Sequence, residues 1–195
     1  MFILLEGPDH CGKTTLANEF KKYGAEVYHF TWNEEIDKNP EYYFMPPLES
    51  AILRGLKGEL IVFDRHFLSY YVYAEVFRQK AKDLKMYEEA HSLIINSNNR
   101  IIFCLPENTE KALFEFNQNK EKRNEMYGDM KQVHLAYKTL WGNYLDEEYD
   151  FNNKRFWNII KRKHYQWYNT LHLYDYLQTD VRSYVSTFLT YFRNF

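Results

Sequence analysis

A lysine bracketed by glycines, in the stretch GPDHCGKTT at residues 7–15, carries the clearest chemistry in this sequence. Gly7, Gly12, Lys13 and Thr14 fit the pattern G-x-x-x-x-G-K-[ST] without a mismatch. In such a loop the backbone N–H groups face phosphate oxygens, the lysine ammonium reaches the β- and γ-phosphates, and the threonine hydroxyl can ligate Mg²⁺. The loop therefore predicts a site for a nucleoside triphosphate, with ATP and Mg²⁺ as the expected ligands. The predicted phosphate-binding residues are Gly7, His10, Cys11, Gly12, Lys13, Thr14 and Thr15.

Two elements must flank this loop for the chemistry to work. The apolar run FILLE at 2–6 predicts a buried strand before it, and residues 14–23 have the apolar spacing of an amphipathic helix after it. The amino end of that helix adds a partial positive charge next to the bound phosphates.

Strand-like and helix-like segments alternate along the rest of the chain, which is typical of a parallel sheet covered by helices on both faces. Strands are predicted at 2–6, 26–30, 59–64, 100–105 and 171–176. Residues 33–47 are predicted to be a loop or short helical turns, because Pro40, Pro46 and Pro47 interrupt them. We expect a three-layer α/β P-loop NTPase fold with a five-stranded parallel sheet, forming one domain over residues 1–195. The charged segment 117–131 is predicted to be a short lid.

The overall composition restricts the setting in which the chain works. A length of 195 residues suits one domain, and a formal net charge of −2 argues against an extended nucleic-acid-binding surface. Two cysteines, Cys11 and Cys104, supply no disulfide framework, so we expect a reducing cytoplasm. The apolar runs are shorter than the roughly 20 residues that span a bilayer, so no membrane segment is expected.

Three classes of nucleotide-binding protein can use such a loop: a small-molecule kinase, a GTPase switch and an ATPase motor. A GTPase needs the guanine-reading motif N-K-x-D, and the stretch NKEK at 119–122 fails at its last position. A motor usually needs a longer chain and partner subunits. A mobile lid that excludes water favours transfer over hydrolysis, so the chain is predicted to be one P-loop kinase domain.

A second motif, DRHFLSYYVY at 64–73, follows the third predicted strand. Together with EGPDHCGKTT at 6–15, it resembles the thymidylate kinase family of nucleoside monophosphate kinases, whose motifs read E-G-x-D-x-x-G-K-T-T and D-R-[YH]-x-x-S-x-x-A-Y-Q. Val72 and Ala74 depart from the second motif. Later segments, RIIFCLPENTEKAL and YDYLQTD, are similar to the family more loosely, so the resemblance extends over most of the chain.

The resemblance implies a role for each matched polar residue. Asp9 would hold the acceptor sugar hydroxyl or assist the metal, and Arg65 would bind the acceptor phosphate. Asp64 would act on Mg²⁺ together with Thr14. The lid candidates for the transferring phosphoryl group are Lys120, Lys122 and Arg123, of which we favour Arg123 as catalytic because a guanidinium matches phosphoryl oxygens best. The catalytic set is thus Lys13, Arg65, Asp9 and Arg123, and the resemblance also implies a homodimer.

Some departures from the family leave the acceptor open. The base-reading arginine of the family has only Arg54 as a counterpart, close to a helix end, and His10 stands where part of the family has a catalytic arginine. The expected reaction is ATP-dependent transfer to a thymidylate-like pyrimidine deoxynucleoside monophosphate, giving the diphosphate. A deoxynucleoside kinase is the alternative, and it would need a carboxylate such as Glu34 or Glu35 as general base. A non-catalytic nucleotide-binding protein is the third reading.

Overall fold

The computed structural model describes residues 1–78, 84–95, 99–106, 109–110, 113–114, 130–144, 168–171 and 185. Within these residues, five strands form one sheet in the order β2-β3-β1-β4-β5, and each neighbouring pair is parallel. The strands are β1 (Phe2–Glu6), β2 (Glu26–His29), β3 (Ile61–Asp64), β4 (Arg100–Cys104) and β5 (Tyr168–Leu171). The predicted parallel α/β architecture is confirmed.

Six helices with defined bounds accompany this sheet in the described part of the chain, and further helical residues are described at 109–110, 113–114 and 185. The six helices are α1 (Lys13–Lys22), α2 (Glu34–Lys38), α3 (Pro40–Leu56), α4 (Phe67–Tyr73), α5 (Leu84–Ile95) and α6 (Met130–Tyr144). Helix α4 continues as one π-helical turn over Ala74–Arg78. None of the helices in the described ranges is both long and apolar enough to cross a lipid bilayer.

The strands β1, β3 and β4 are buried on both faces of the sheet, because their side chains alternate between two separate cores, whereas the edge strand β2 is largely exposed. Phe2 and Leu4 of β1 pack in the core formed with α3, α4, α5 and α6, whereas Ile3 and Leu5 pack in the core formed with α1. Successive side chains of a strand point to opposite faces, so a fully apolar strand requires a helical layer on each side. The described residues therefore form three layers.

The prediction of a loop or short helical turns over residues 33–47 agrees with the five-residue helix α2, but it is wrong from Pro40 onward, where the 17-residue helix α3 begins. Pro40 is at the start of α3, where the missing N–H has no intrahelical partner to lose, and the Asn39 side chain accepts from the Tyr42 N–H at 3.2 Å. Pro46 and Pro47 lie inside the helix. The helix persists through them because the turns on either side bury apolar residues against the sheet.

Two other predicted segments are described only in part. The last strand includes Leu171 but begins earlier than predicted, at Tyr168, and residues 172–176 of the predicted strand lie outside the described residues. Most of the predicted lid, 117–129, lies outside the described residues, while Met130 and Lys131 already belong to α6.

Candidate active site

The phosphate loop joins the end of β1 to the start of α1, as the sequence predicts. A Cβ atom at Gly7 would lie 2.1 Å from the carbonyl oxygen of Cys104, so only glycine allows β1 to leave the sheet beside β4. Gly12 has φ 73° at the amino end of α1, in the left-handed region that favours glycine. His10 shares that region with φ 61°. The loop is therefore shaped by the sheet behind it as well as by its own residues.

The Lys13 side chain lies inside this loop. The side chain is 5% exposed, and its ammonium donates a hydrogen bond to the carbonyl oxygen of Pro8. Burial, with the nearby Arg65 guanidinium, lowers the pKa of Lys13. The ammonium thus lies inside the turn where phosphate oxygens would bind, and an anion arriving there would stabilise its charged form.

Asp64 ends β3 beside the first turn of α1. Its Oδ2 accepts a hydrogen bond from the Thr14 hydroxyl at 2.7 Å and lies 2.9 Å from His29 Nδ1. His29 is the register partner of Asp64 across the β2–β3 pair, so the two side chains meet where both strands end. The sequence reasoning missed His29, although its position at the end of a predicted strand was a usable signal.

The oxygens of Thr14 and Asp64 fit a Mg²⁺ ion. The other carboxylate oxygen of Asp64 is buried and has no hydrogen-bond partner within the residues that the structure describes. A buried carboxylate oxygen next to a hydroxyl is the kind of oxygen donor that Mg²⁺ prefers. Among the described residues, no group of three or more His, Cys, Asp or Glu side chains could hold a metal ion by itself.

Asp9 and Arg65, which the resemblance placed in one site, are in direct contact. The Arg65 guanidinium donates to Asp9 Oδ1, and the Tyr73 hydroxyl donates to Asp9 Oδ2 at 3.0 Å. The guanidinium carbon lies 5.3 Å from the centre of the Tyr73 ring. Burial raises the pKa of Tyr73, so the phenol keeps its proton and remains a donor. No role was predicted for Tyr73, because its partner Asp9 is 64 positions away in the sequence.

One cavity of about 780 Å³ connects the phosphate loop to an aromatic wall. Loop residues lining it are Asp9, His10, Cys11, Gly12, Lys13, Thr14 and Thr15. The remaining lining residues are mainly aromatic: His29, Phe30, Thr31, Trp32, Ile36, Phe44, Arg65, His66, Ser69, Tyr70, Tyr73 and Phe77. The volume falls within the range of about 300–1,000 Å³ that small-molecule sites have.

Several predicted site residues lie elsewhere. Arg54 is on an exposed network with Glu26 and Glu59, and it does not line the cavity. Glu34 and Glu35 are exposed on α2 and also do not line it. Arg123, Lys120 and Lys122 are outside the described residues, so their roles stay predictions. Burial raises the pKa of Cys11 to about 11, which keeps this loop thiol protonated.

A buried histidine forms part of the cavity wall. His66 is 1% exposed and its ring centre lies 4.7 Å from that of Phe30, 4.9 Å from Phe63 and 5.0 Å from Phe44. Neither ring nitrogen has a hydrogen-bond partner among the described residues. Burial lowers the pKa of His66 to about 3, so the ring is neutral.

No protein-family model and no curated protein matches the chain. Similar solved structures include YorR from Bacillus subtilis in complex with phosphorylated GDP, at 19% identity and TM-score 0.51, covering 73% of this chain and 80% of that one. Deoxyadenosine kinase from M. mycoides with bound dATP is 15% identical with TM-score 0.53, and 99% of each chain is covered. The same enzyme with dCTP is 16% identical with TM-score 0.50 over 100% of both chains.

This chain has the fold of P-loop kinases. The likeness extends to proteins whose structures hold purine and pyrimidine nucleotides, and it does not single out the thymidylate kinase family.

Proposed function

We propose that the chain transfers the γ-phosphoryl group of ATP to a deoxynucleoside monophosphate, with a thymidylate-like pyrimidine deoxynucleotide as the acceptor and ADP and the nucleoside diphosphate as products. The observation that supports this most is the position of Arg65. Its guanidinium is in the same cavity as Lys13 and the phosphate loop, which gives the cavity a second cation for a second phosphate group.

On the donor side, the loop and α1 bind the triphosphate. Backbone N–H groups of the loop and the Lys13 ammonium bind the β- and γ-phosphate oxygens. Thr14 and Asp64 would hold Mg²⁺, which when bound neutralises charge on the β- and γ-phosphates. These groups stabilise the transition state electrostatically, and no covalent bond to the protein is formed.

On the acceptor side, Arg65 binds the acceptor phosphate so that one of its oxygens faces the γ-phosphorus. That oxygen forms a new bond to the γ-phosphorus while the bond from the γ-phosphorus to the β,γ-bridging oxygen breaks, and ADP leaves. Because the attacking phosphate oxygen is already anionic, no general base is needed. Asp9 accepts a hydrogen bond from the acceptor sugar, and we propose Arg123 as the cation that covers the transferring group.

The aromatic wall suits the base of the acceptor. Phe30, Phe44 and Tyr70 line the same cavity as Arg65, and their rings can stack on a flat base or meet its edge. The resemblance implied that an arginine recognises the base, but Arg54 forms ion pairs with Glu26 and Glu59 outside the cavity. The aromatic residues would therefore contact the base instead.

A deoxynucleoside kinase is the second candidate, and the Asp9 carboxylate favours it. Asp9 lines the cavity beside Arg65, where it could take the proton from an attacking hydroxyl. The similar fold of a deoxyadenosine kinase supports the same alternative. Glu34 and Glu35, the expected bases, do not line the cavity, so Asp9 is the base that this candidate requires.

Product analysis separates these functions. The protein is incubated with ATP and Mg²⁺ and, in separate reactions, with each of a panel of deoxynucleosides and deoxynucleoside monophosphates, and nucleotides are resolved by anion-exchange chromatography. A diphosphate formed only from a monophosphate supports the proposal, and a monophosphate formed only from a nucleoside supports the alternative. ADP released equally without any acceptor indicates an ATPase, and ATP binding without any product indicates a non-catalytic protein.

We also propose that the protein forms a homodimer, as the resemblance implied. Phe67 of α4 is fully buried in the core, so the contact would use the other aromatic residues of this helix, such as Tyr71. The mass in solution, measured by light scattering after size-exclusion chromatography, tests this: a monomeric mass at micromolar concentration contradicts it.

A further inference from the structure

A buried carboxylate joins three elements behind the proposed acceptor site. Glu6, the last residue of β1, is fully buried. It accepts hydrogen bonds from the backbone N–H of His66 at 2.9 Å, from the Ser69 hydroxyl and from the Tyr137 hydroxyl at 3.4 Å. The Ser69 and Tyr137 oxygens are themselves 2.7 Å apart. This cluster of Glu6, Ser69 and Tyr137, here called the Glu6 cluster, connects β1 with α4 and α6.

The Glu6 cluster is hydrogen-bonded to the backbone of the Arg65–His66 peptide, and this backbone determines the direction of the Arg65 side chain. Arg65 has φ 71°, in the left-handed region that non-glycine residues seldom adopt because it is strained. The Arg65 N–H donates to the carbonyl oxygen of Leu5 at 3.0 Å, and the next N–H, that of His66, donates to Glu6. Two consecutive amides are thus tied to the end of β1, and these ties hold the strained residue in place.

Burying an ionised carboxylate opposes folding, because the charge loses its hydration. A contact with a purely structural role would not require such a charged group. The titratable groups that face it are the cations Arg65, from the β3–α4 turn, and Lys13, from α1, together with the Tyr137 phenol of α6 and the Cys104 thiol of β4. Burial outweighs the two cations and the hydrogen bonds, and it raises the pKa of Glu6 to about 7.

We propose that Glu6 is a positioning residue for acceptor binding, whose ionised carboxylate fixes the Arg65–His66 peptide so that the guanidinium faces the acceptor phosphate. The proposal rests on the proposed function, in which Arg65 binds that phosphate. Protonation of Glu6 neutralises its carboxylate and turns one of its oxygens into a hydrogen-bond donor. The hydrogen bond from the His66 N–H to Glu6 is then no longer charge-assisted and becomes weaker. Acceptor binding therefore weakens as the pH falls through 7.

The kinetic test uses Glu6→Gln, which keeps the shape of the side chain and removes its titration. The matched control is Glu26→Gln, an exposed residue of β2 outside the cavity. With dTMP as the acceptor probe, the wild type shows an acceptor KM that rises as the pH falls from 8 to 6. In Glu6→Gln the acceptor KM at pH 8 is about tenfold higher, whereas the ATP KM stays within about twofold. The difference between the two proteins shrinks toward pH 6, where both carry a neutral residue at this position.

The acceptor phosphate also ionises in this pH range, and this affects the acceptor KM of both proteins equally. Comparing wild type and variant at the same pH therefore cancels that effect. If Glu6→Gln keeps the wild-type pH profile of the acceptor KM, or raises the ATP KM as much as the acceptor KM, the positioning role is wrong. A second variant, Tyr137→Phe, leaves the carboxylate and removes one donor, and it should raise the acceptor KM less than Glu6→Gln does.

Hydrogen exchange measured by mass spectrometry tests the tie without any turnover. Peptides covering residues 64–73 should exchange faster in Glu6→Gln than in the wild type at pH 8, while the Glu26→Gln control matches the wild type. Unchanged exchange in this segment contradicts the proposal even if the enzyme is active. If exchange is faster in Glu6→Gln but no acceptor-dependent product forms, the contact between Glu6 and the segment 64–73 is supported and the proposed kinase function is contradicted.

Discussion

The Thr14 hydroxyl donates a 2.7 Å hydrogen bond to Asp64 Oδ2, which joins the first turn of α1 to the end of β3. The second carboxylate oxygen of Asp64 is buried without a partner among the described residues. Replacing Asp64 with Asn removes the negative charge that a metal needs while keeping the size of the side chain. We expect turnover to fall by about 100-fold or more and the Mg²⁺ concentration for half-maximal rate to rise.

The measurement is the initial rate as a function of Mg²⁺ concentration. Glu49→Gln, which neutralises an exposed carboxylate on α3, is the matched control and should leave the curve unchanged. An Asp64→Asn protein with the wild-type Mg²⁺ dependence would show that this carboxylate does not hold the metal.

Lys13→Ala should abolish phosphoryl transfer without unfolding the protein. The ammonium is buried in the loop, and its removal relieves a desolvation penalty at the same time as it removes the contact to the phosphates. We expect turnover to fall by about 10³-fold or more and the melting temperature to stay the same or rise. Lys21→Ala, on the exposed last turn of α1, is the control for loss of a lysine. An active Lys13→Ala variant would refute the assignment of the site.

Arg65→Lys tests the acceptor cation. A lysine keeps the positive charge but loses the planar pair of donors that binds a phosphate or the Asp9 carboxylate in two-pronged fashion. We expect the KM for the monophosphate to rise by about 10- to 100-fold, with the KM for ATP changed by less than about threefold. Steady-state kinetics with each substrate varied in turn give both values. Arg54→Lys, outside the cavity, should change neither of them, and a rise confined to the ATP KM would place Arg65 on the donor side.

His66→Phe should stabilise the protein. The His66 ring is surrounded by phenylalanines, and its nitrogens have no partner among the described residues, so a ring of similar shape without polar atoms removes a desolvation penalty of about 1–3 kcal/mol. The low pKa of His66 adds a pH dependence: wild-type stability is lost as the pH falls from 6.5 toward 3, because the unfolded chain binds the proton more tightly. Urea unfolding of both proteins at pH 7 and pH 5 measures both effects, and a less stable variant at pH 7 would contradict the prediction.

Glu6 should make the stability of the wild type depend on pH in the direction opposite to that of His66, and Glu6→Gln should remove this dependence. The pKa of Glu6 is raised from 4.5 to about 7, so the folded protein binds this proton more tightly than the unfolded chain does. The contribution of Glu6 to the free energy of unfolding therefore falls by about 3 kcal/mol as the pH rises from 4.5 to 7. Relative to the wild type, Glu6→Gln should gain stability between pH 5 and pH 8 in denaturant titrations. A constant difference across this range would mean that Glu6 is ionised throughout.

Local features of the site were predictable from the sequence, whereas the positions of its distant partners were not. The loop from Gly7 to Thr14 works through residues a few positions apart, so its pattern can be recognised directly. Asp9 and Arg65 were assigned to one site only through a resemblance. Their contact depends on β1 and β3 being neighbours in the sheet, which periodicity does not reveal.

The same limit applied to helix α3. Turn propensity favoured a loop or short helical turns around Pro46 and Pro47, but burial of Phe44 and Leu48 on either side outweighs the lost backbone hydrogen bonds. A local preference of this kind can be overruled only by packing partners that are distant in the chain.

By itself, the sequence determined a phosphate-binding turn between a buried strand and a helix, because apolar periodicity, glycine positions and the lysine are all local properties. The tertiary structure alone decided that Glu6 meets Tyr137, 131 positions away, and that Asp64 meets both Thr14 and His29. The physical reason is the sheet: parallel strands bring their carboxyl ends to one edge, and strand order, which is a property of the whole packed chain, decides which side chains are neighbours there.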